Sequence, residues 1–258
     1  MSAAAAHEGL ASLPPGTGLR VAVVDSGVHP SLVGEGRSFA VRPSGVLTVV
    51  ERCSARDVHG EAQGHGTAVA GIVRALAGEA ELTSVRVVDE LGRASVEGLR
   101  AALDFTIRER FDVVNVSLGT RRRDALLDLY DLVDRATVAG VVVVAATDDA
   151  GPPDYPAACT ALLGVGAMSA DDPFALAYAP GRRIAFLARG VGVPVQTPDG
   201  ASRRVTGSSY ASPHVAAFAA RILAADRGLA PFAVKTRLLD FAVAEAGPGV
   251  ASPEGARA

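Results

Sequence analysis

Apolar and polar positions along the chain alternate between two patterns, which together predict the order of helices and strands. Short runs that are apolar at every position are typical of strands buried on both faces. Longer segments between them carry apolar residues at i, i+3, i+4 and i+7, which predicts amphipathic helices. Strands that alternate with helices indicate a parallel sheet covered on both sides. We therefore expect an α/β protein: a three-layer α/β/α domain with a mainly parallel, doubly wound sheet.

The predicted elements can be placed along the chain from these patterns. Strands are expected at residues 19–24, 46–50, 82–88, 111–117, 141–146 and 161–166, with short strands and turns over 174–206. Helices are expected at residues 64–76, 96–110, 126–139 and 231–244, and from Ser209 onward.

Three segments follow from the distribution of these elements. We expect residues 1–18 to be a flexible N-terminal arm, 19–245 to form one domain and 246–258 to be a flexible tail. Gly71 lies inside the helix over 64–76, where glycine lowers helix stability. We therefore expect another element to approach the helix closely at Gly71.

Composition and charge exclude several classes of protein. The chain has 258 residues and a net charge of −3, which does not favour a nucleic-acid or membrane surface. A chain of this length can bury a large core without disulfides or metals. Cys53 and Cys159 could pair, but so few cysteines fit a reducing compartment. With no secretory signal and no apolar stretch of bilayer length, we expect a cytoplasmic protein.

Three residues with complementary chemistry stand at the ends of predicted elements. Asp25 follows the first strand, His65 opens a helix and Ser209 opens a later one. A serine hydroxyl needs a base to accept its proton, and a neutral imidazole suits that task. A buried carboxylate can fix the tautomer of the imidazole. Each residue alone also fits a structural role: a strand-end cap, a histidine bonded to backbone, or a helix cap.

The start of the later helix adds two details. Gly207 suits a tight turn, and either Ser208 or Ser209 can cap the helix. Backbone N–H groups at that end can stabilise negative charge, as a nucleophile attacking a carbonyl requires.

Four separated motifs resemble those of the subtilisin-like serine proteases. Residues 23–27 (VVDSG) are similar to the aspartate motif, and residues 65–71 (HGTAVAG) to the histidine motif. Residues 207–216 (GSSYASPHVA) resemble the serine motif, and residues 114–119 (VNVSLG) the substrate-binding strand. The chain order Asp, His, Ser agrees with this family.

Single residues inside these motifs depart from the family pattern. Ala68 stands where a second histidine is usual, Ser208 replaces threonine and Tyr210 replaces methionine. The resemblance also implies that His214 is a packed, hydrogen-bonded helix residue and not the base.

The resemblance implies a subtilisin-like fold and serine endopeptidase activity through an acyl-enzyme. Ser209 would attack the peptide, His65 would transfer the proton, and Asp25 would orient His65. The substrate would be a peptide or precursor protein, and processing of a dedicated substrate is expected rather than general digestion. The substrate-binding residues would be Ser117, Leu118 and Gly119 on one side, and Gly92, Arg93 and Ala94 on the other.

The position of the family's oxyanion-binding asparagine carries an acid here. Asp149 occupies it, and Asp148 replaces the preceding glycine and would border the substrate. An ionised carboxylate cannot donate a hydrogen bond. Either Asp149 is protonated with help from Asp148, or the Ser209 N–H and Ser208 hydroxyl bind the oxyanion alone, or the site is vestigial.

We expect an active enzyme, because some family members work with aspartate at this position. Asp149→Asn should then keep or raise turnover. Asp148 and Asp149 would also favour a basic substrate residue before the cleaved bond. The run from Arg121 to Arg123 could meet acidic substrate residues, although three loop arginines are more often solvated.

Two alternative functions remain open from the sequence. A peptide macrocyclase or transpeptidase would use the same acyl-enzyme but would exclude water. A peptide-binding pseudoprotease would fit a site disabled by Asp149. The segment between Leu76 and Ser84 is too short for the calcium loop of many family members, so we expect no required metal and no cofactor.

Overall fold

A computed structural model describes most of the chain. The described residues are 3–34, 36–44, 47–53, 63–89, 91–147, 151–152, 154–181, 184, 186–197 and 201–244. Within them, the helices are α1 (Ala3–Ser12), α2 (Gln63–Leu76), α3 (Val96–Arg108), α4 (Leu126–Ala139), α5 (Ser208–Ala225) and α6 (Pro231–Phe241).

The strands of the described residues form one large sheet and one separate hairpin. They are β1 (Arg20–Asp25), β2 (Ser38–Ser44), β3 (Leu47–Arg52), β4 (Glu81–Arg86), β5 (Val113–Val116), β6 (Val142–Ala146), β7 (Leu163–Met168), β8 (Leu176–Tyr178), β9 (Phe186–Arg189), β10 (Val193–Gln196), β11 (Ser202–Val205) and β12 (Val243–Ala244). The sheet order is β12-β8-β9-β7-β6-β5-β1-β4-β2-β3, and β10 pairs with β11. Only β2–β3 and β8–β9 are antiparallel within the described sheet, so the prediction of a mainly parallel sheet is confirmed.

Strand β1 shows how the sheet separates two cores. Val21 and Val23 belong to the core beneath α1, α2, α5 and α6, whereas Ala22 and Val24 belong to the core beneath α3 and α4. Successive side chains of a strand point to opposite faces, so an unbroken apolar run is required where both faces are covered. The three-layer α/β/α prediction is therefore confirmed.

The N-terminal segment differs from the prediction. Residues 3–12 form helix α1, and its Leu10 is fully buried in the core shared with α2 and α5. The expected flexible arm is thus wrong over this helix. Arg221 of α5 explains the docking, because its guanidinium donates to the carbonyl oxygens of Leu10, Ala11 and Leu13.

Gly71 also differs from its prediction. A Cβ built at Gly71 would meet no atom within 4 Å, so no element approaches the helix there. Gly140 behaves as expected and ends α4 with a φ of +77°.

Three further features concern the described residues alone. No described helix has the length and apolarity needed to cross a bilayer. No group of three or more His, Cys, Asp or Glu residues is placed to hold a metal in the part of the chain that the structure describes. Cys53 and Cys159 form no disulfide. The cytoplasmic location stays a prediction.

Candidate active site

Asp25 is placed by the end of the central strand β1. Its side chain is only 3% exposed, and the backbone N–H of Ser26 donates to its Oδ1 at 2.6 Å. This carboxyl end of a parallel strand is where open α/β sheets bind ligands. The fold therefore presents a buried carboxylate at the sheet edge.

His65 lies in the first turn of α2, directly above Asp25. The next residue must be glycine, because a Cβ at Gly66 would lie 2.2 Å from the carbonyl oxygen of Gly27. The Gly66 N–H donates to Ser26 Oγ at 3.1 Å. The close crossing of α2 over the β1 end thus brings the imidazole onto the carboxylate.

Ser209 is the second residue of α5. Gly207 precedes this helix with a φ of +152°, a conformation that other residues rarely adopt. Gly207 is the N-cap, and no side chain caps the helix. The expectation that Ser208 or Ser209 caps it is wrong, because both serines lie inside the first turn.

The three side chains form one hydrogen-bonded line. His65 Nδ1 lies 2.9 Å from Asp25 Oδ1 and 3.0 Å from Oδ2, and His65 Nε2 lies 2.9 Å from Ser209 Oγ. An Nδ1–H donated to the carboxylate leaves Nε2 free to accept the serine proton. This is the geometry that a nucleophile and its base require.

The pKa of His65 reflects opposing influences. Burial of the ring, the largest, lowers the pKa, whereas the hydrogen bond and the charge of Asp25 raise it and the charge of Arg203 lowers it. The net pKa lies above the ordinary value of 6.5. A base of raised pKa accepts a proton more readily, but it must be neutral to do so.

The contact between Tyr210 and His65 is a part of the site that the sequence did not reveal. Its ring centroid lies 5.0 Å from that of His65, and its side chain is largely buried. Tyr210 follows the nucleophile directly, yet its orientation toward His65 depends on the crossing of α2 and α5. The ring packs against the imidazole at an interplanar angle of 48°.

The Ser208 hydroxyl is engaged by the backbone and does not donate toward a bound substrate in this arrangement. Its hydroxyl donates to the carbonyl oxygen of Thr147 and is almost fully buried. A hydroxyl has one proton to donate. Its role toward an oxyanion stays a prediction that requires the hydroxyl to rotate.

The residues expected to bind substrate lie at two facing edges. Ala94, Leu118 and Gly119 line one cavity of about 370 Å³, together with Val96 and Leu99. The two edges are therefore brought together at this cavity, as the resemblance implies.

Other predicted substrate-binding residues flank this cavity. Ser117 accepts a hydrogen bond from Asn115 Nδ2 at 2.9 Å. Gly92 has a φ of +75°, and Arg93 forms an exposed ion pair with Asp89. A Cβ at position 119 would lie 2.3 Å from Asp154 Oδ2, so any larger residue there would have to displace the Asp154 carboxylate.

Two predicted residues, Asp148 and Asp149, lie outside the described residues.

Within the run from Arg121 to Arg123, Arg122 pairs with Asp124. Arg121 donates to the carbonyl oxygen of Pro152 at 3.3 Å. These contacts engage Arg122 and Arg121 within the chain, and Arg122 also lines the cavity of about 370 Å³.

Comparisons with known proteins agree with this geometry. The chain is 32% identical over 214 residues to the minor extracellular protease Epr of Bacillus subtilis (strain 168), an alignment covering 78% of this chain and 31% of Epr. It is 31% identical over 227 residues to subtilisin E of the same strain, covering 81% of this chain and 56% of that protein. It thus spans much less than two thirds of the length of these curated relatives.

A solved structure and a family model extend the comparison. The crystal structure of a cold-adapted subtilisin-like serine proteinase matches with a TM-score of 0.63 and 25% identity, covering 86% of this chain and 81% of that one. The sequence model of the subtilase family matches residues 16–256. With the Asp25–His65–Ser209 line in place on this fold, the chain belongs to the subtilase family.

Proposed function

We propose that this chain is a serine endopeptidase that hydrolyses peptide bonds through an acyl-enzyme. The observation that carries the proposal is the continuous line from Asp25 through His65 to Ser209, with each link near 2.9 Å. Family membership supports the same chemistry.

The geometry divides the reaction into two steps. As Ser209 Oγ attacks the carbonyl carbon, its proton passes to His65 Nε2, and Asp25 stabilises the imidazolium. His65 then returns the proton to the leaving amine, which departs and leaves Ser209 acylated. In the second step water attacks the acyl-enzyme, with His65 again as the base.

The start of α5 supplies a donor for the oxyanion. The first N–H groups of a helix have no acceptor within the helix and form its partly positive end. The Ser209 N–H belongs to this group, so it can stabilise charge on the attacked carbonyl. We propose it as the first oxyanion donor. Asp149 remains a proposed second donor if it is protonated.

The cavity between the substrate edges has room for a substrate side chain upstream of the cleaved bond. Val96, Leu99 and Leu118 give it apolar surface, Ser95 and Thr120 add hydroxyls, and Glu97 and Arg122 add one charge of each sign. We propose that the enzyme processes a peptide or precursor whose backbone lies along residues 117–119. Main-chain pairing would supply affinity and the cavity would supply selectivity.

Hydrolysis is favoured over transfer to an amine. The His65 side chain is 30% exposed, so water can reach the base beside the acyl-enzyme. A macrocyclase or transpeptidase would need to exclude that water. Mass spectrometry of the products separates the two, because hydrolysis adds one water and transfer to an internal amine adds none.

The proposal is tested with a fluorophosphonate probe, which labels only an activated serine. The wild-type protein should be labelled, and Ser209→Ala should abolish labelling and peptide cleavage. His65→Ala should slow labelling by about 10²–10⁴-fold, the usual contribution of a general base.

Ser212→Ala is the matched control, since Ser212 lies on the same helix but is fully buried. This variant should be labelled like the wild type. A folded wild-type protein that resists labelling would instead support a peptide-binding protein with a vestigial site.

A further inference from the structure

A second cavity lies beside α2, apart from the catalytic residues. It has a volume of about 490 Å³, within the range of small-molecule sites, and none of Asp25, His65 and Ser209 lines it. Its walls come from α2, the β10–β11 hairpin, the turn after β1 and the end of β9. The cavity is thus a separate structural feature of the molecule.

One face of α2 lines this cavity. Ala68, Gly71, Ile72 and Ala75 follow the i, i+3, i+4, i+7 spacing and all line it. Across from them, Val193 and Val195 of β10 supply apolar surface. The walls therefore suit an apolar molecule.

Gly71 keeps the cavity open. A Cβ at this position would meet nothing within 4 Å, so the glycine is not required by close packing. Glycine inside a helix costs about 0.5–1 kcal/mol relative to alanine. Gly71 is also the last residue of the histidine motif at residues 65–71, so the observation that bears on the cavity is the open space beside it.

Arg189 gives the cavity a single permanent charge. It lines the wall at the end of β9, and its buried Nε has no hydrogen-bond partner in the part of the chain that the structure describes. The described lining residues include no carboxylate. The Nε itself is closed to solvent, so a ligand in the cavity would bind the guanidinium through its Nη groups.

The polar part of the wall also contains two histidines, together with Ser31, Thr67, Gln196 and Thr197. His214 is 2% exposed, and its Nδ1 lies 2.9 Å from the Tyr210 carbonyl oxygen, which accepts the Nδ1 proton. Burial, and to a smaller degree the charge of Arg189, lowers the pKa of His214 to about 4. His29 Nδ1 is engaged by Ser31 Oγ at 2.9 Å. Arg189 is therefore the permanently charged anion-binding group of the described wall.

We propose that this cavity binds a small molecule with one carboxylate on an apolar body. The carboxylate accepts hydrogen bonds from the Arg189 guanidinium, and the apolar body lies between α2 and β10. Such charge-assisted bonds are stronger than neutral ones. This binding does not depend on the proposed peptidase activity.

Octanoate is the probe for the test, with 1-octanol as its uncharged match. Isothermal titration calorimetry should give 1:1 binding of octanoate with a dissociation constant below about 1 mM. 1-Octanol should bind at least about tenfold more weakly, a difference of about 1.4 kcal/mol.

Three variants assign the binding to this cavity. Gly71→Leu fills the open space and should abolish binding of both probes, whereas Gly71→Ala adds one methyl group and should retain it. Arg189→Met keeps an unbranched apolar stem but removes the guanidinium, and should remove the preference for octanoate over 1-octanol. Circular dichroism and thermal unfolding check that each variant is folded.

The proposal has clear contrary results. Absence of octanoate binding to the wild type at about 10 mM overturns it, as does equal affinity for 1-octanol. Undiminished binding to a folded Gly71→Leu protein also overturns it, because the ligand would then lie elsewhere.

Discussion

At the scale of single residues, the charge around His65 comes from two directions. Asp25 lies beneath the ring and raises the pKa of the imidazole, whereas Arg203 reaches the site from β11 and lowers it. Arg203 also comes within 3.2 Å of the Cβ position of Gly64, beside the start of α2. The charge of Arg203, on the β10–β11 hairpin, thus lowers the pKa of His65, although no described hydrogen bond joins the two residues.

Arg203→Gln should move the acid limb of kcat/KM to higher pH. Without the positive charge, the imidazolium is less disfavoured and the pKa of His65 rises further. His65 must be neutral to act as a base, so activity is lost at a higher pH as the solution is acidified. A pH profile of peptide cleavage measures the shift.

Arg204→Gln is the neighbouring control on the same strand. Arg204 donates to the Gly192 carbonyl oxygen at 2.7 Å, and its loss should leave the profile unchanged. Because Arg203 is exposed, its effect should also shrink in about 1 M salt. An Arg203→Gln profile that coincides with the wild type would contradict this account.

Single catalytic residues could be predicted from the sequence, but their neighbours could not. Asp25, His65 and Ser209 stand beside strand ends and helix starts, and such positions leave local signatures. The ring contact of Tyr210 with the imidazole, and the effect of the Arg203 charge on its pKa, depend on how α5 and β11 lie across α2. Nothing in the residues around Tyr210 or Arg203 specifies that crossing.

At the scale of elements, Arg221 is the link between α5 and α1. Its side chain is only 6% exposed and also donates from Nη1 to the Leu76 carbonyl oxygen at 2.8 Å. It therefore joins the C-terminal end of α2 to the segment that follows α1. A helix as short as α1 is marginal alone and needs such packing.

Arg221→Met should detach α1 and destabilise the molecule. The carbonyl oxygens of Leu10 and Leu76 lose a charged donor in a buried setting, which should lower the unfolding free energy by about 2–4 kcal/mol. Hydrogen exchange should rise over residues 3–12. Urea unfolding gives the free energy, and exchange mass spectrometry locates the loss.

Arg227→Met is the control for this effect. Arg227 is exposed and donates to the Gly18 carbonyl oxygen, so its loss should change stability by less than about 1 kcal/mol. Unchanged exchange over α1 in the Arg221→Met protein would show that the guanidinium does not hold the helix.

Helix α1 was not predicted from the pattern of apolar and polar positions. Its sequence is alanine-rich, and alanine has the highest helix propensity. It lacks the alternating polar face that marks a surface helix, and its partner Arg221 lies more than 200 residues away. Helices α2 to α6 and the strands β1 and β3 to β7 were predictable because each carries its own apolar pattern. Strand β2 was not predicted, and β12 lies within the segment that was expected to be helical.

At the scale of the whole molecule, the sequence predicts the layers but not the order of strands. Apolar runs such as Val141–Ala146 require cover on both faces, which fixes a sheet between two helix layers. The order in which β1, β4 and β5 lie side by side depends on crossover connections. The second cavity likewise depends on tertiary packing, since its walls come from α2 and β10, which lie far apart in the chain.

Global stability should fall on the acid side partly because of His214. Its pKa is about 4 in the folded protein and 6.5 when unperturbed, so between these values the unfolded chain binds a proton that the native protein does not. Stability is full above pH 6.5 and is lost as the pH falls toward 4, by about 3 kcal/mol in total. His65 acts in the opposite sense, since its pKa is raised in the folded state.

Comparison with His214→Gln isolates this contribution, because the effect of His65 is common to both proteins. Urea unfolding between about pH 7 and pH 4 should show a steep loss in the wild type and a shallower one in the variant. The variant is less stable at neutral pH if glutamine packs less well than histidine. Only the slope of the unfolding free energy against pH reports proton binding by His214. Two parallel curves would mean that His214 binds its proton equally well in the folded and unfolded states, and the buried ring beside Arg189 would then not resist protonation.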